Sequence, residues 1–113
     1  MIVRLSLAAA VVSTIVACGS SDPCTRTSPC PNDVPSTQAQ KDQCSATLKA
    51  NENSACYSER VALANCQIDN IVCGGNGQTD VVLSGTQATN NCTNQRADVL
   101  ACCTKNPSAT ACR

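Results

Sequence analysis

Apolar residues are concentrated at the beginning of the chain and are sparse after it. Leu5 to Val16 is a run of twelve residues rich in Leu, Ala and Val, and it follows the single positive charge of Arg4. Such a run is typical of the hydrophobic segment of a signal peptide, and it is too short to span a bilayer comfortably. The pattern therefore predicts that residues 1–17 are a signal peptide.

The pattern of apolar and polar positions after residue 35 predicts three helices. The first spans about residues 37–49 and follows an N-cap at Ser36. The second spans about residues 55–72, where a pair of glycines ends it, and the third spans about residues 93–105, where a proline stops it. Helices are therefore the main secondary structure that we expect.

Two other segments are predicted to be irregular. Residues 24–35 contain three prolines and cannot form a regular helix, so we expect an arm in which Cys24 and Cys30 close the five-residue gap between them. The polar segment 74–91 carries the apolar patch Val81-Val82-Leu83 and is long for a structureless loop. It therefore either contains a short strand or turn, or displays a surface for a protein partner.

The hydrophobic core of such a chain is thin. Only twelve large aliphatic residues and one aromatic residue follow Cys18. Burying each aliphatic side chain contributes about 1.5–3 kcal/mol, whereas ordering each residue of the chain costs about 1.5 kcal/mol. Packing alone does not hold this chain, and eleven cysteines supply the cross-links that it needs.

One of the eleven cysteines stands apart. Ile15-Val16-Ala17-Cys18 ends the apolar run and resembles the lipobox of bacterial lipoproteins, whereas ordinary signal cleavage prefers a small residue where Ile15 stands. Without Cys18 the count is ten, an even number that allows five disulfides and no free thiol. Both observations predict lipidation at Cys18 and disulfide bonding of the others, which are Cys24, Cys30, Cys44, Cys56, Cys66, Cys73, Cys92, Cys102, Cys103 and Cys112.

The resemblance to the lipobox implies a membrane anchor. Cys18 would carry a thioether-linked diacylglycerol and an amide-linked acyl chain such as palmitate, which together give stable anchoring. Gly19 favours the outer membrane, on its periplasmic face or at the cell surface, by similarity to Gram-negative sorting signals. Residues 18–35 would then be a tether and proline-rich arm, and residues 36–113 a disulfide-stapled helical domain.

Two of the predicted helices repeat the same cysteine spacing. Nine residues separate Cys56 from Cys66 and Cys92 from Cys102, and each segment has Arg at its fifth position and an aliphatic residue at its eighth. Ten helical steps leave the two cysteines within roughly 80° of each other and about 15 Å apart along the axis. An antiparallel pair of helices would then join Cys56 to Cys102 and Cys66 to Cys92, which is one of roughly 945 ways to pair ten cysteines.

The eighth-position aliphatics, Leu63 and Val99, would fill the space between these two disulfides. The expected fold is therefore all-α, small and disulfide-rich, with an antiparallel helical hairpin, an N-terminal helix and a proline-rich arm.

The twin spacing resembles the coiled-coil-helix hairpins of the mitochondrial intermembrane space, but the lipobox contradicts that compartment. A closer resemblance is to the small cysteine-rich lipoproteins of myxobacterial-type genomes, through Cys18, Cys56, Cys66, Cys73, Gly74, Gly75, Cys92 and Cys102. This resemblance implies a localisation and a fold, and no activity.

Several kinds of chemistry are excluded by the residues present. The chain has no histidine, which removes the commonest general base and most zinc sites. Eight basic and eight acidic residues, with one aromatic residue, argue against nucleic-acid binding. Cys102 and Cys103 are interpreted as two structural cysteines with different partners, because adjacent helical residues face about 100° apart. We expect no catalytic residues, no metal and no cofactor.

The remaining hypothesis is a non-catalytic interaction or structural module on a lipid anchor, with a protein partner at the 74–91 segment. The alternative is a small effector or enzyme inhibitor displayed at the cell surface, because disulfide scaffolds often present one rigid loop to a protein cleft. Residues 74–91 contain no Lys or Arg, which argues against the inhibitor.

Overall fold

The structure is a computed structural model that describes residues 22–113. The predictions for the signal peptide and for lipidation at Cys18 lie outside these residues. The described part is helical and contains no strand beyond one isolated β-bridge, which confirms the small, all-α, disulfide-rich fold. None of its helices is long and apolar enough to cross a membrane. The four α-helices are α1 (Gln38–Asn51), α2 (Tyr57–Asp69), α3 (Val81–Asn91) and α4 (Thr93–Lys105).

Helix α1 begins one residue later than predicted because Thr37, not Ser36, is its N-cap. The Thr37 hydroxyl accepts a hydrogen bond from the Gln40 amide at 3.2 Å, and the Gln40 side chain accepts one from the Thr37 amide at 2.8 Å. This reciprocal capping satisfies two backbone donors at the helix start. No residue of α1 is buried, so the helix is held largely by the disulfide from Cys44 to Cys24.

Helices α2 and α4 form the predicted antiparallel pair. The structure has both predicted disulfides, Cys56–Cys102 and Cys66–Cys92. Helix α4 has the predicted bounds, whereas α2 is shorter than the predicted 55–72. It cannot begin before Tyr57 because Cys56 has a φ of 69°, in the left-handed region. Cys56 is the N-cap of α2, and Cys92 is the N-cap of α4. Each is joined by a disulfide to the C-terminal half of the opposite helix.

Helix α3 corrects the expectation that residues 74–91 form a loop or a short strand. Its eleven residues follow Asp80, whose side chain accepts hydrogen bonds from the amides of Val82 and Leu83 at 3.0 and 2.9 Å. Such an N-cap satisfies donors that have no partner inside the helix. At the other end, Cys92 is both the C-cap of α3 and the N-cap of α4, so the two helices meet at one residue.

The buried core of the described residues is small, as predicted, and mostly covalent. Seven residues are buried, and four of them are disulfide cysteines. No polar or charged residue of the described part is buried. Of the two predicted filling residues, Val99 is buried and Leu63 is only partly buried, with Val61 buried on α2 instead. The seven buried residues are Cys24, Cys30, Cys56, Val61, Ala88, Cys92 and Val99.

Candidate functional site: the α3 patch and the disulfides that position it

The proline-rich arm is cross-linked to the rest of the domain and not to itself, which corrects the expected pairing of Cys24 with Cys30. Cys24 lies in a short 3-10 helix, Pro23–Thr25, and is joined to Cys44 of α1. Cys30 is joined to Cys73, which precedes α3. Both arm cysteines are buried, and each has its partner outside the arm. The arm therefore connects α1 to the segment that leads into α3.

Arg26 attaches the middle of the arm to α2. Its guanidinium forms an ion pair with Asp69 and donates hydrogen bonds to the backbone and side-chain oxygens of Asn65 at 3.3 Å. Asp69 is largely exposed, so the ion pair contributes little by itself. Together with the two disulfides, these bonds fix the course of the arm along α2.

Residues 28–33 of the arm and 73–79 form what we call the arm–turn junction. The Asn32 amide donates to the Gly77 carbonyl oxygen at 2.9 Å, and the Asn32 side chain donates to the Asn76 carbonyl oxygen at 2.7 Å. The Thr79 amide and hydroxyl donate to the two carboxylate oxygens of Asp33 at 2.7 and 2.5 Å. Hydrogen bonds therefore complement the Cys30–Cys73 disulfide here.

Asp33 is the central acceptor of this junction. It also accepts a hydrogen bond from the Ser28 hydroxyl. Hydrogen bonds from the Ser28 side chain and from the side chain and backbone of Thr79 lower the pKa of Asp33 below its ordinary value. All of these donors favour the ionised carboxylate, so the junction is built around a negative charge.

A tight turn at Gly74–Gln78 completes the junction. Cys73 and Thr79 form the isolated antiparallel bridge, and the Gly74 amide donates to the Gln78 carbonyl oxygen at 2.8 Å. Gly77 has a φ of 77°, and a Cβ at this position would lie 2.6 Å from the side-chain nitrogen of Asn32. Only glycine fits this position without strain.

Hydrogen bonds to the backbone of Val72, which follows the end of α2, fix the first turn of α3. The Ser84 hydroxyl accepts a hydrogen bond from the Val72 amide at 2.8 Å and donates to the Val72 carbonyl oxygen at 3.3 Å. The Asp80 amide donates to the same carbonyl oxygen at 2.8 Å. The first turn of α3 is thus held in one orientation.

That first turn presents three consecutive aliphatic side chains to solvent, which we call the α3 patch. Val81, Val82 and Leu83 are 76%, 73% and 51% exposed. Asp80 is the only charged residue between positions 70 and 92, and its carboxylate is directed to backbone amides. The 74–91 segment is therefore an ordered turn and helix with an apolar, nearly uncharged tip.

The two disulfides between α2 and α4 each have an asparagine side chain beside them, a feature that the cysteine spacing alone did not reveal. The side-chain nitrogen of Asn70 lies 3.7 and 3.6 Å from the sulfurs of Cys66 and Cys92. That of Asn106 lies 3.8 and 3.9 Å from the sulfurs of Cys102 and Cys56. Each asparagine also donates to a backbone carbonyl four residues earlier.

These asparagines extend a repeat that the sequence does contain. Asn70 and Asn106 each stand four residues after the second cysteine of their segment, and they are 36 residues apart, as are Cys66 and Cys102. The position immediately after that second cysteine differs, because it is Gln67 in the first segment and Cys103 in the second. This repeat is therefore the feature of the sequence from which Asn70 and Asn106 could have been predicted.

The second segment has a further disulfide beside its own. Cys103 is joined to Cys112, while Cys102 is joined to Cys56, so the adjacent cysteines have different partners, as predicted. The sulfurs of Cys56, Cys103 and Cys112 all lie within 4.8 Å of one another. In this state the sulfurs are in disulfides and are not the thiolates that bind metals.

An open groove of about 330 Å³ runs beside this cluster, between α2 and α4. Leu63, Val99 and Leu100 form its apolar wall, and Arg60 and Arg96 are its charged residues. The Arg60 guanidinium donates to the Ala111 carbonyl oxygen at 2.6 Å and so lies next to Cys112. Cys103 and Cys112 line the groove, so it gives solvent access to the Cys103–Cys112 disulfide, which we call the outer disulfide.

Comparison of the chain with protein-family models, with curated proteins and with solved structures found no match. The functional interpretation therefore depends on the residues and the geometry described above.

Proposed function

We propose that this protein is a lipoprotein of the bacterial cell envelope, anchored through Cys18, whose disulfide-stapled helical domain is a non-catalytic interaction module. The observation that carries the proposal is the lipobox, Ile15-Val16-Ala17-Cys18, at the end of an apolar run. The disulfides add support, because the ten cysteines of residues 22–113 are paired with one another. None of them is left to pair with Cys18.

The disulfide content supports an exported protein. Five disulfides in a small domain are typical of oxidising compartments such as the periplasm or the cell exterior. A core in which four of the seven buried residues are cysteines would lose much of its cohesion where thiols stay reduced. Export and the lipid anchor therefore fit the same compartment, and Gly19 favours its outer membrane.

The α3 patch is the surface that we assign to partner binding. Exposed aliphatic side chains that are contiguous and held rigidly are more typical of interaction sites than isolated exposed ones. The arm–turn junction and the Ser84 hydrogen bonds hold the patch in one orientation, so binding would require little ordering of the chain.

The test is the intact mass of the full chain, produced in a Gram-negative bacterium and extracted from its membranes with detergent. We expect a chain that begins at Cys18 and carries acyl additions. A Cys18→Ser variant is the control, and it should lack these additions and leave the membrane fraction. An unmodified N-terminus in the unaltered protein, or one that lies at another residue, contradicts the proposal.

A further inference from the structure

We propose that Cys56, Cys102, Cys103 and Cys112 form a thiol–disulfide exchange site, in which the outer disulfide, Cys103–Cys112, gives access to the inner one, Cys56–Cys102. The inference concerns redox chemistry and does not depend on the lipid anchor or on the α3 patch. It assigns to this end of the α2–α4 pair a reactivity that the equivalent Cys66–Cys92 end lacks.

The sulfurs of this cluster lie close together. Thiol–disulfide exchange requires a thiolate to approach one sulfur of a disulfide. Because the sulfurs of Cys56, Cys103 and Cys112 lie within 4.8 Å of one another, a thiolate released at Cys103 or Cys112 is already next to Cys56. No change of fold is needed to bring the reacting atoms together.

Cys56 and the outer disulfide differ in their access to solvent. Cys56 is only 5% exposed, whereas Cys103 and Cys112 are partly exposed and line the α2–α4 groove. An external thiol therefore reaches the outer disulfide more readily than it reaches Cys56. Disulfide reactivity depends on such access, so the outer disulfide is the entry point to the sulfur of Cys56.

The local electrostatics favour a thiolate in this cluster. Cys56 is the N-cap of α2, and Arg60 lies in the first turn of that helix, beside Cys112. A helix N-terminus and a neighbouring guanidinium both favour a thiolate over a thiol. A thiolate released in this cluster is thus stabilised in the form that attacks a disulfide.

The reaction begins with a small external thiol, which attacks the outer disulfide. A mixed disulfide forms on Cys103, and Cys112 is released as a thiolate. This thiolate attacks the sulfur of Cys56, so that a Cys56–Cys112 bond forms while the Cys56–Cys102 bond breaks. Cys102 leaves as a thiolate and takes a proton from water. The second step is an exchange without net oxidation or reduction, and the only co-reactant is the external thiol.

The test uses a Cys103→Ser variant, in which Cys112 has no native partner and no reductant is required. The protein is held at pH 8, quenched in acid and alkylated, and its peptides are mapped without reduction. We expect label on both Cys112 and Cys102, together with a Cys56–Cys112 cross-link. A Cys24→Ser variant is the matched control, because the freed Cys44 belongs to no three-sulfur cluster of the described residues, and label should stay on Cys44. Label on Cys112 alone in Cys103→Ser overturns the proposal.

A second measurement on the unaltered protein applies even if the variant misfolds. Limiting dithiothreitol is added, and the opening of Cys56–Cys102 and of Cys66–Cys92 is followed by alkylation and mass mapping. Because the neighbouring thiolate acts within the molecule, we expect the Cys56–Cys102 disulfide to open at least about tenfold faster. Opening of the two disulfides at equal rates, or Cys66–Cys92 opening first, contradicts the exchange site.

Discussion

The α2–α4 pair and the arm–turn junction are held together in different ways. The α2–α4 pair consists of two regular helices joined by two disulfides, with Val61, Val99 and Cys92 buried in it. The arm–turn junction has one disulfide and a set of hydrogen bonds that converge on one carboxylate. One region depends on covalent bonds and apolar packing, and the other on a covalent bond and a charge.

The two regions should therefore be destabilised by different changes. Apolar burial and disulfides do not change with protonation, so the α2–α4 pair should resist acid. The hydrogen bonds to Asp33 favour its ionised form, so protonation weakens them, and Gly77 must keep a left-handed backbone. Substitutions in the arm–turn junction should therefore loosen the support of the α3 patch while the helical pair stays folded.

The largest expected effect comes from removing one disulfide from each region. The chain-entropy relation gives a loss of about 3.5 kcal/mol for Cys66 and Cys92, 26 residues apart, and about 4 kcal/mol for Cys30 and Cys73, 43 residues apart. Both double alanine variants should have a clearly lower melting temperature. Hydrogen exchange should distinguish them, because removing Cys30–Cys73 exposes the amides of Asn32 and Thr79 while α4 stays protected.

The control for this experiment is the Cys103/Cys112 double alanine variant, whose disulfide joins residues only nine apart and should contribute about 2.7 kcal/mol. Equal loss of protection in α4 and in the junction after removal of Cys30–Cys73 would show that the two regions unfold together. A disulfide from Cys24 to Cys30 would close a short loop, so its removal would lower the stability only slightly. Because Cys30 is joined to Cys73 and closes a long loop, its removal should lower the stability much more.

A smaller effect is expected for Gly77→Ala. Alanine at a φ of 77° costs about 1–2 kcal/mol, and its Cβ would also displace the Asn32 side chain. The free energy of unfolding, measured with urea, should fall by about this amount, and protection of the junction amides should fall first. Gly75→Ala is the matched control, since a Cβ there meets nothing within 4 Å. Equal destabilisation by both substitutions would contradict the assigned role of Gly77.

The smallest effect is a dependence of the arm–turn junction on pH. The pKa of Asp33 is lowered in the folded protein, so its contribution to stability is present above the ordinary Asp pKa and is lost as the pH falls through the lowered one. Protection of the Thr79 amide should therefore decrease on acidification while α2 and α4 keep theirs. Asp33→Asn should remove this dependence, and an unchanged acid profile in that variant would assign it to another group.

Sequence patterns were sufficient to predict helices α1, α2 and α4 to within a few residues, the thin core and the two disulfides of the α2–α4 pair. These features follow from local rules, because helical periodicity places Cys56 and Cys66 on one face and the repeat at Cys92 and Cys102 does the same. Antiparallel packing then leaves one consistent pairing. The different partners of Cys102 and Cys103 follow from the same helical geometry.

Folding of the whole chain sets the partners of Cys24 and Cys30, the existence of α3, and the approach of Cys112 to Cys56. Sequence spacing favours near partners for the arm cysteines, but the folded chain brings Cys44 to Cys24 and Cys73 to Cys30. Helix α3 was not predicted because its three large aliphatic residues are consecutive, not three or four residues apart, and they face solvent. Its first turn depends on hydrogen bonds from backbone amides to the side chains of Asp80 and Ser84. The amide that donates to Ser84 belongs to Val72, which is brought near only by the folded chain.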